Sequence, residues 1–310
     1  MGIPLRKGRR TTGNENRFLR LLRLSGGRIR CIEVYVSSYS YRPLDYRKGM
    51  SKTLRGCLLV LAALVLMGVV DAAFGQEKTL HVAAAADLTP VMPVLAAAYE
   101  HATGVKVVTS FGSSATLEQQ LENGDPQDVF LSADFVHPEA LVAAGKTVET
   151  NPVAYARGIL VLWARKDSVA QPLSLDSLTK PGVEKIAVAN DLHAPYGVAA
   201  TRAIAGLHLT DKLQGKLVVA ENIAQTAQFV ESGNAQVGFI SLTIASSPKF
   251  LAEGTFVRVP MIYPPIQQCG VVLKGSANAV VGVDFLRWLT STDVQATLGR
   301  MGLDPINGLK

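Results

Sequence analysis

The stretch "LHVAAAADLTPVMPVLAAAYEHA", from Leu80 to Ala102, sets the organisation of this chain. Its first seven residues are almost all apolar, which is typical of a strand buried on both faces. From Pro90 onward the apolar residues recur at helical spacing. The stretch therefore predicts a strand followed by a helix, with Asp87 standing where the helix should begin.

The same alternation continues along the chain. We predict strands at 80–86, 105–110, 128–133, 158–164, 185–190, 217–222, 237–242 and 269–274. Helical segments lie between them, and two of these end at Gly124 and Gly145. Such alternation is typical of α/β proteins with mainly parallel sheets flanked by helices. Since no flexible linker divides the chain, we expect two lobes joined by strands. Lobe I is assigned to 76–157 plus 264–310, and lobe II to 158–263.

The basic character of the chain is confined to its beginning. The formal net charge is +6, but residues 1–49 hold 12 Lys and Arg against 3 Asp and Glu. Residues 76–310 hold 17 Lys and Arg against 21 Asp and Glu, a net charge of −4. A mildly acidic body argues against a nucleic-acid partner, which a basic surface would favour.

A secretion signal is predicted over residues 50–75. Two cations precede the apolar run 57–70, which has the length of a signal-peptide core and is short for a membrane-spanning helix. The small residues of "AFG" predict export to the periplasm with cleavage between Gly75 and Gln76, and a retained membrane anchor is the alternative. Residues 1–49 precede this signal and are interpreted as a start-site misassignment or a disordered extension.

The cysteines fit an exported protein without disulfides. Beyond the predicted cleavage point only Cys269 remains. One cysteine can form neither an internal disulfide nor a thiolate metal site. The flanking sequence "QQCGVVLK" is typical of a strand, so Cys269 is interpreted as a buried apolar residue.

Short polar side chains and helix starts follow several predicted strands, where α/β folds bind their ligands. The residues at these positions are Asp87, Ser113, Ser114, Ser132, Asp134, Tyr196 and Ile223. A helix N-terminus presents unpaired N–H groups and the positive end of a dipole, which suits an anion. The pattern favours an anion site built without Lys or Arg, although capping alone explains many Ser and Asp residues at such positions.

Catalytic interpretations find less support. The chain has no G-x-S-x-G elbow and no P-loop, and its five histidines lack metal-ligand spacing. His193 is interpreted as a loop imidazole bonded to backbone, and Asp134 as a cap of the helix near His137. An exported hydrolase using Ser114 or Ser132 stays open as an alternative, and it requires a base within hydrogen-bond reach of that serine.

Five motifs, in order, carry a family resemblance: "AAAADL", "SFGSSATLEQQLENGDPQDVFLSAD", "YARGILVLWARKDS", "APYG" and "GFISL". Over about 78–308 the chain resembles the periplasmic molybdate-binding proteins of ABC-type transporters, and 110–134 is the most specific part. The resemblance implies a two-lobed type II periplasmic binding fold that closes on molybdate or tungstate and delivers it to a membrane permease. It implies a monomer that catalyses no reaction and holds no cofactor. Sulfate or another tetrahedral oxyanion is the alternative ligand.

The resemblance also implies a ligand shell. Matching motifs place the oxyanion beside Ala86, Asp87, Ser114, Tyr196 and Ile223. Ser114 is expected to give its hydroxyl and its N–H, and Ile223 its backbone N–H. Tyr196 is expected to give its phenol.

Two positions depart from the family pattern. One branch of the family has a tyrosine in the strand where this chain has Ser241, and another has it in the turn that holds Tyr196. We therefore expect Tyr196, and not Ser241, to donate. Relatives can carry Ser or Asn where this chain has Asp87, but an ionised Asp cannot donate and repels an anion. We expect Asp87 to turn away as a helix N-cap, bonded to the N–H of Thr89, and a carboxylate pointed at the oxyanion is the alternative.

Overall fold

Residues 78–306 are described by the structure, a computed structural model. The predictions for 1–49 and for the signal peptide at 50–75, with its cleavage after Gly75, lie outside the described residues. Within 78–306, no helix has the length and apolarity needed to cross a membrane.

Strands and helices alternate through the described residues. The strands are β1 (Thr79–Ala85), β2 (Lys106–Gly112), β3 (Val129–Ser132), β4 (Val153–Gly158), β5 (Leu160–Arg165), β6 (Ile186–Ala189), β7 (Leu217–Ala220), β8 (Val237–Ser241), β9 (Gly254–Arg258), β10 (Ile266–Val272) and β11 (Asp304–Pro305). The α-helices are α1 (Met92–Thr103), α2 (Ser114–Glu122), α3 (Val136–Ala143), α4 (Pro195–Gly206), α5 (Thr210–Leu213), α6 (Ile223–Glu231), α7 (Leu242–Ala245), α8 (Pro248–Glu253), α9 (Ala279–Leu289) and α10 (Thr292–Arg300). Two 3-10 helices are Ala86–Leu88 and Leu175–Thr179.

The first sheet has the order β11-β4-β10-β3-β1-β2. Strand β1 pairs in parallel with both β2 and β3, while β10, β4 and β11 join by antiparallel pairing. In β1, Val82 and Ala84 pack into the apolar cluster on one face, and Ala83 packs into the cluster on the other. Alanine has low strand propensity, so burial on both faces, rather than propensity, places this run at the centre of the sheet.

The second sheet has the order β7-β6-β8-β5-β9. Its β6 pairs in parallel with β7 and β8, and β5 pairs antiparallel with β8 and β9. Its largest fully buried side chain is Trp163 of β5, which packs against Phe250 with ring centroids 4.9 Å apart. The carboxyl ends of β6 and β7 lead to the starts of α4 and α6, which positions those helix N-termini at one edge of this sheet.

The predicted α/β class with two helix-flanked sheets is confirmed. Both sheets are mixed: each joins three mutually parallel strands to antiparallel ones, and the strand pattern had not marked β4 or β9. The chain leaves the first sheet at Gly158, enters the second at Leu160, leaves that sheet at Arg258 and returns at Ile266. Gly124 and Gly145 follow α2 and α3 with positive φ angles of 92° and 68°, as expected of helix-ending glycines.

Cys269 is fully buried in β10, as its strand context predicted. Its thiol donates to the backbone carbonyl of Asp134 across 3.0 Å. Burial, with smaller effects from Asp134 and Glu139, raises the pKa of the thiol far above its ordinary range. Cys269 is therefore a structural residue and not a reactive thiol.

Candidate functional site

A small cavity lies where the parallel strands of both sheets end. It has about 200 Å³ of empty volume, part of which opens to solvent. Its lining residues are Ala85, Ala86, Asp87, Gly112, Ser113, Ser114, Ala133, Ala194, Pro195, Tyr196, Asn222 and Ile223. Within the described chain this lining contains no Lys or Arg. The structure thus brings together all five predicted site residues, while their contact with a ligand stays a prediction.

The helix α2 begins at this cavity. Ser113 is the N-cap, and its hydroxyl oxygen accepts from the N–H of Thr116 at 3.3 Å. The N–H of Ala115 donates to the carbonyl of His193 at 3.1 Å. The N–H of Ser114, the first residue of the helix, has no acceptor within residues 78–306.

The helix α6 repeats this arrangement. Its N-cap Asn222 accepts from the N–H groups of Ala224 and Gln225 at 3.1 and 3.0 Å. The cap serves the second and third helical residues, so the N–H of Ile223 has no acceptor among the described residues. The side chain of Ile223 is not needed for this donor.

The helix α4 supplies a third amide. Pro195 occupies its first position and has no N–H. The next N–H, that of Tyr196, has no acceptor in the described part of the chain. Three helix N-termini therefore line one cavity, and each contributes one N–H group that has no acceptor among the described residues. This arrangement suits an anion.

Ser114 adds a hydroxyl donor. It is 1% exposed, and its Oγ accepts from the N–H of Ala133 at 3.2 Å. That bond occupies a lone pair and leaves the hydroxyl proton without an acceptor in residues 78–306. The bond also holds the position of Oγ, so Ser114 offers both a hydroxyl and an N–H to the cavity.

Asp87 is not the cap that the sequence predicted. It lies within the 3-10 helix Ala86–Leu88, its side chain makes no capping bond, and α1 begins only at Met92. The N–H of Thr89 donates to the carbonyl of Ala86 at 3.3 Å instead. Because the 3-10 turn satisfies that N–H through backbone, the Asp87 side chain turns into the buried space between the two sheets.

The Asp87 carboxyl group is fully buried and unequally bonded. Its Oδ2 accepts from the Tyr196 hydroxyl at 3.1 Å and from the Gln268 amide. Its Oδ1 has no partner. Burial raises the pKa of Asp87 to about 7, while the hydrogen bonds from Gln268, Tyr196 and its own backbone act in the opposite direction.

The predicted phenol donor is directed elsewhere. The hydroxyl of Tyr196 donates to Asp87 in this structure, and burial together with the nearby Asp87 raises the pKa of Tyr196 well above its ordinary value. A methyl group at Gly158 would overlap the Tyr196 hydroxyl, so the glycine makes room for this pair. Tyr196 therefore lines the cavity with a backbone donor, and its phenol serves Asp87.

Two polar residues of the site were missed from sequence. Gln268 is fully buried in β10, next to the exposed Gln267. A polar residue on the inward face of a strand needs a hydrogen-bond partner, so the position of Gln268 could have indicated a buried polar contact. Asn222 was assigned to the end of a strand, although Asn directly before a helical pattern is a common cap.

Other predictions have mixed outcomes. The Asp134 carboxylate accepts from the N–H of His137 in the first turn of α3 at 3.3 Å, as a cap would. The imidazole of His193 faces the Glu221 carboxylate at 3.2 Å and the Asn190 amide at 3.4 Å, so the prediction of a backbone partner is wrong. The sequence around His193 does not show this partner, because Glu221 reaches the loop from the end of β7, 28 residues further along the chain.

Ser241 lies outside the cavity lining. It is the N-cap of α7, where its oxygen accepts from the N–H of Ile244 at 3.4 Å and pairs with the Thr243 hydroxyl at 2.8 Å. The structure therefore places Ser241 in a capping position.

The serine hydrolase alternative gains no support from this geometry. The hydroxyl of Ser114 has a backbone N–H as its partner and no base. Ser132 does donate to Asp134 at 3.0 Å, but it is fully buried and does not line the cavity. Within residues 78–306, no group of His, Cys, Asp or Glu residues is arranged to hold a metal ion.

Two helix-flanked sheets with an anion-suited cavity at their shared edge define a two-lobed solute-binding protein. The chain belongs to the bacterial extracellular solute-binding proteins, whose family model matches residues 80–304.

Several relatives carry more specific names. The molybdate-binding protein ModA of Azotobacter vinelandii is 39% identical over 228 residues, 72% of this chain and 90% of that protein. ModA of Rhodobacter capsulatus is 32% identical over 255 residues, 81% of this chain and 96% of that protein.

Solved structures agree on the fold. The periplasmic molybdate-binding protein of A. vinelandii matches with a TM-score of 0.67 and 32% identity, covering 72% of this chain and 98% of that one. The sulfate-binding protein SubI of Mycobacterium tuberculosis matches with a TM-score of 0.62 at 16% identity, covering 74% and 88%, and shares the fold alone.

Proposed function

We propose that this protein binds molybdate in the periplasm and delivers it to an ABC-type permease of the inner membrane. The observation that carries the proposal is the set of unpaired donors at the cavity. These are the N–H groups of Ser114, Tyr196 and Ile223 and the hydroxyl of Ser114. The two molybdate-binding relatives described above support this choice of anion.

Neutral donors suit an anion that must be released again. Burying an anion is costly unless its oxygens are hydrogen-bonded. Each hydrogen bond to a charged group contributes roughly 1.5–3 kcal/mol, so the four donors offset much of that cost. The absence of Lys and Arg from the described lining keeps the ligand from being trapped in an ion pair.

Finer features belong to the same proposal. Tungstate, which has the same charge and shape, is a second ligand. The lobes are 76–157 plus 264–310 and 158–263, the protein acts as a monomer, and it catalyses no reaction. The signal at 50–75 is cleaved between Gly75 and Gln76, and mass spectrometry of the exported protein checks the new N-terminus.

The decisive experiment is isothermal titration calorimetry of the purified protein with molybdate, tungstate, sulfate and phosphate. We expect tight binding of molybdate and tungstate and weak or undetectable binding of the other two. Preferred binding of sulfate or phosphate would redirect the proposal to another oxyanion. A failure of all four to bind would refute it.

A pair of serine variants tests the site. Ser114→Ala removes a hydroxyl donor and leaves the Ala133 N–H without its partner, so we expect molybdate affinity to fall by about tenfold or more, the equivalent of one charged hydrogen bond. Ser241→Ala, also a buried serine beside a helix start, should retain affinity. Equal losses in both variants would place the ligand elsewhere.

A further inference from the structure

We propose that the oxyanion binds together with one proton, held between Oδ1 of Asp87 and a ligand oxygen. The inference rests on the proposed function, and it assigns Asp87 as a donor that ties affinity to pH. Without the proton, Asp87 would bring a buried negative charge next to an anion. With it, the residue becomes a neutral acid that donates one more hydrogen bond.

The bonding of Asp87 matches a carboxylic acid. Oδ2 accepts two hydrogen bonds, from Tyr196 and Gln268, as a carbonyl oxygen with two lone pairs does. Oδ1 has no partner, although the side chain is fully buried and Asp87 lines the cavity. A protonated Oδ1 needs an acceptor, and an oxyanion in the cavity supplies one. An ionised Oδ1 would instead be a buried acceptor without a donor, which is costly.

Among the described residues, no Lys or Arg is among the groups that shift the pKa of Asp87. The elements packed against the 3-10 helix Ala86–Leu88 include α6, α7 and β2. Their only charged residues are Glu231 at the far end of α6 and Lys106 at the far end of β2, while α7 has none.

The titratable groups around Asp87 are two phenols and a thiol. Tyr196 on α4 donates to the carboxyl group, and burial and the proximity of Asp87 raise the pKa of Tyr155 on β4 well above its ordinary value. Both phenols thus keep their protons and cannot neutralise the site. On β10, Gln268 is neutral, and burial raises the pKa of the adjacent Cys269 thiol, which keeps its proton too.

Proton uptake then follows from linkage. Burial already raises the pKa of Asp87 to about 7 in the ligand-free site, and an adjacent anion raises it further. At pH values between the pKa of Asp87 without the anion and its higher pKa with the anion bound, each binding event takes one proton from solvent onto Asp87. Above pH 7 the affinity should therefore weaken by about tenfold for each pH unit, and below pH 7 it should level off.

The test is calorimetry with molybdate between about pH 6 and pH 9, in pairs of buffers that differ in ionisation enthalpy, which counts the protons taken up. We expect close to one proton per molybdate near pH 8 for the wild type. Asp87→Asn supplies a neutral donor without a titrating group, so it should take up no proton, keep its affinity across the range and exceed the wild type at about pH 8.5.

A matched control separates Asp87 from other buried carboxyls. Asp128 lies at the opposite end of the first sheet, where it accepts from His81 and Ser276, and Asp128→Asn should retain the wild-type pH dependence. Tight molybdate binding by the wild type without proton uptake would overturn the inference and leave the proposed function intact. Absence of binding by both the wild type and Asp87→Asn would overturn the proposed function as well.

Discussion

At the scale of the residue, Asp87 has the most unusual environment in the site. It is a fully buried carboxyl group, bonded on one oxygen by Tyr196 and Gln268 and unpaired on the other. Desolvation outweighs these two hydrogen bonds, and this is why its pKa rises instead of falling. For the same reason, Asp87 lowers the free energy of unfolding once it ionises.

The pH dependence of stability should report that cost. Unfolded, Asp87 ionises near its ordinary pKa of 3.8, and folded it ionises at about 7. Between these values the folded protein holds a proton that the unfolded chain has lost, so stability falls as pH rises, by about 1.4 kcal/mol per pH unit. Asp87→Asn lacks this dependence.

Denaturant unfolding of the ligand-free protein at about pH 5 and pH 8 measures the effect. We expect the unfolding free energy of Asp87→Asn, measured relative to that of the wild type, to be markedly higher at about pH 8 than at about pH 5. For Ser241→Ala, which removes no titrating group, the difference from wild type should be constant. A constant difference for Asp87→Asn would contradict the assignment.

At the scale of the element, the site is built from helix N-termini. In α2 and α6 the side chain of the cap accepts from later N–H groups, and the N–H of the first helical residue stays unpaired. In α4 the first helical residue is a proline without an N–H, and the unpaired N–H is that of the second residue, Tyr196. The caps of α2 and α6 thus both stabilise their helices and hold a donor at the cavity.

Removal of one cap should affect stability and binding together. Asn222→Ala removes both capping bonds of α6, so we expect a loss of about 1 kcal/mol in unfolding free energy. Molybdate affinity should also fall, because the N–H of Ile223 is no longer held by an ordered first turn. The control is Ser247→Ala, since Ser247 is the N-cap residue of α8 but makes no side-chain capping bond.

Unfolding titrations and calorimetry on the same two variants provide the measurement. The test is the difference in molybdate affinity between Asn222→Ala and Ser247→Ala. If Asn222→Ala binds molybdate as tightly as Ser247→Ala does, the amide of Ile223 is not part of the ligand shell.

At the scale of the whole molecule, segments belonging to the two sheets meet around the cavity. The Thr116 hydroxyl donates to Glu221 at 3.0 Å, and the Thr243 hydroxyl donates to the carbonyl of Asp87 at 2.7 Å. The Tyr196–Asp87 bond crosses between the sheets as well. These contacts join the two sheets around the cavity, and the proposed function requires such closure to exclude water from the anion.

Gly158, at the end of β4, permits that arrangement. In the Gly158→Ala variant the added methyl group overlaps the Tyr196 hydroxyl and crowds Ile266, so it should push Tyr196 away from Gly158. We expect weaker molybdate binding and a radius of gyration, measured by small-angle X-ray scattering, that no longer contracts when molybdate is added.

The matched glycine is Gly299 in α10, where an added methyl group would meet Pro305 at an ordinary 3.4 Å. Gly299→Ala should bind molybdate and contract like the wild type. Contraction and unchanged affinity in the Gly158→Ala variant would show that the space at Gly158 is not needed for closure.

The sequence by itself predicted the α/β class, the strand ends at which the proposed site residues lie and an anion as the ligand. Local signals suffice for these properties. Alternation of apolar runs marks strands and helices, and polar residues at strand ends mark the edge where the helices begin. Ser114, Tyr196 and Ile223 were marked in this way together with Ser113, Ser132 and Asp134, and the family resemblance then singled them out as the expected ligand shell.

Only the tertiary structure decided where side chains point. Asp87 was predicted to cap a helix because it stands directly before a helical pattern, yet its partners Tyr196 and Gln268 lie 109 and 181 residues away. Strands β4 and β9 also became recognisable only through their pairing with β10 and β5. The direction of a side chain and its pKa depend on burial and on partners that the fold assembles, and neither is encoded in the local pattern.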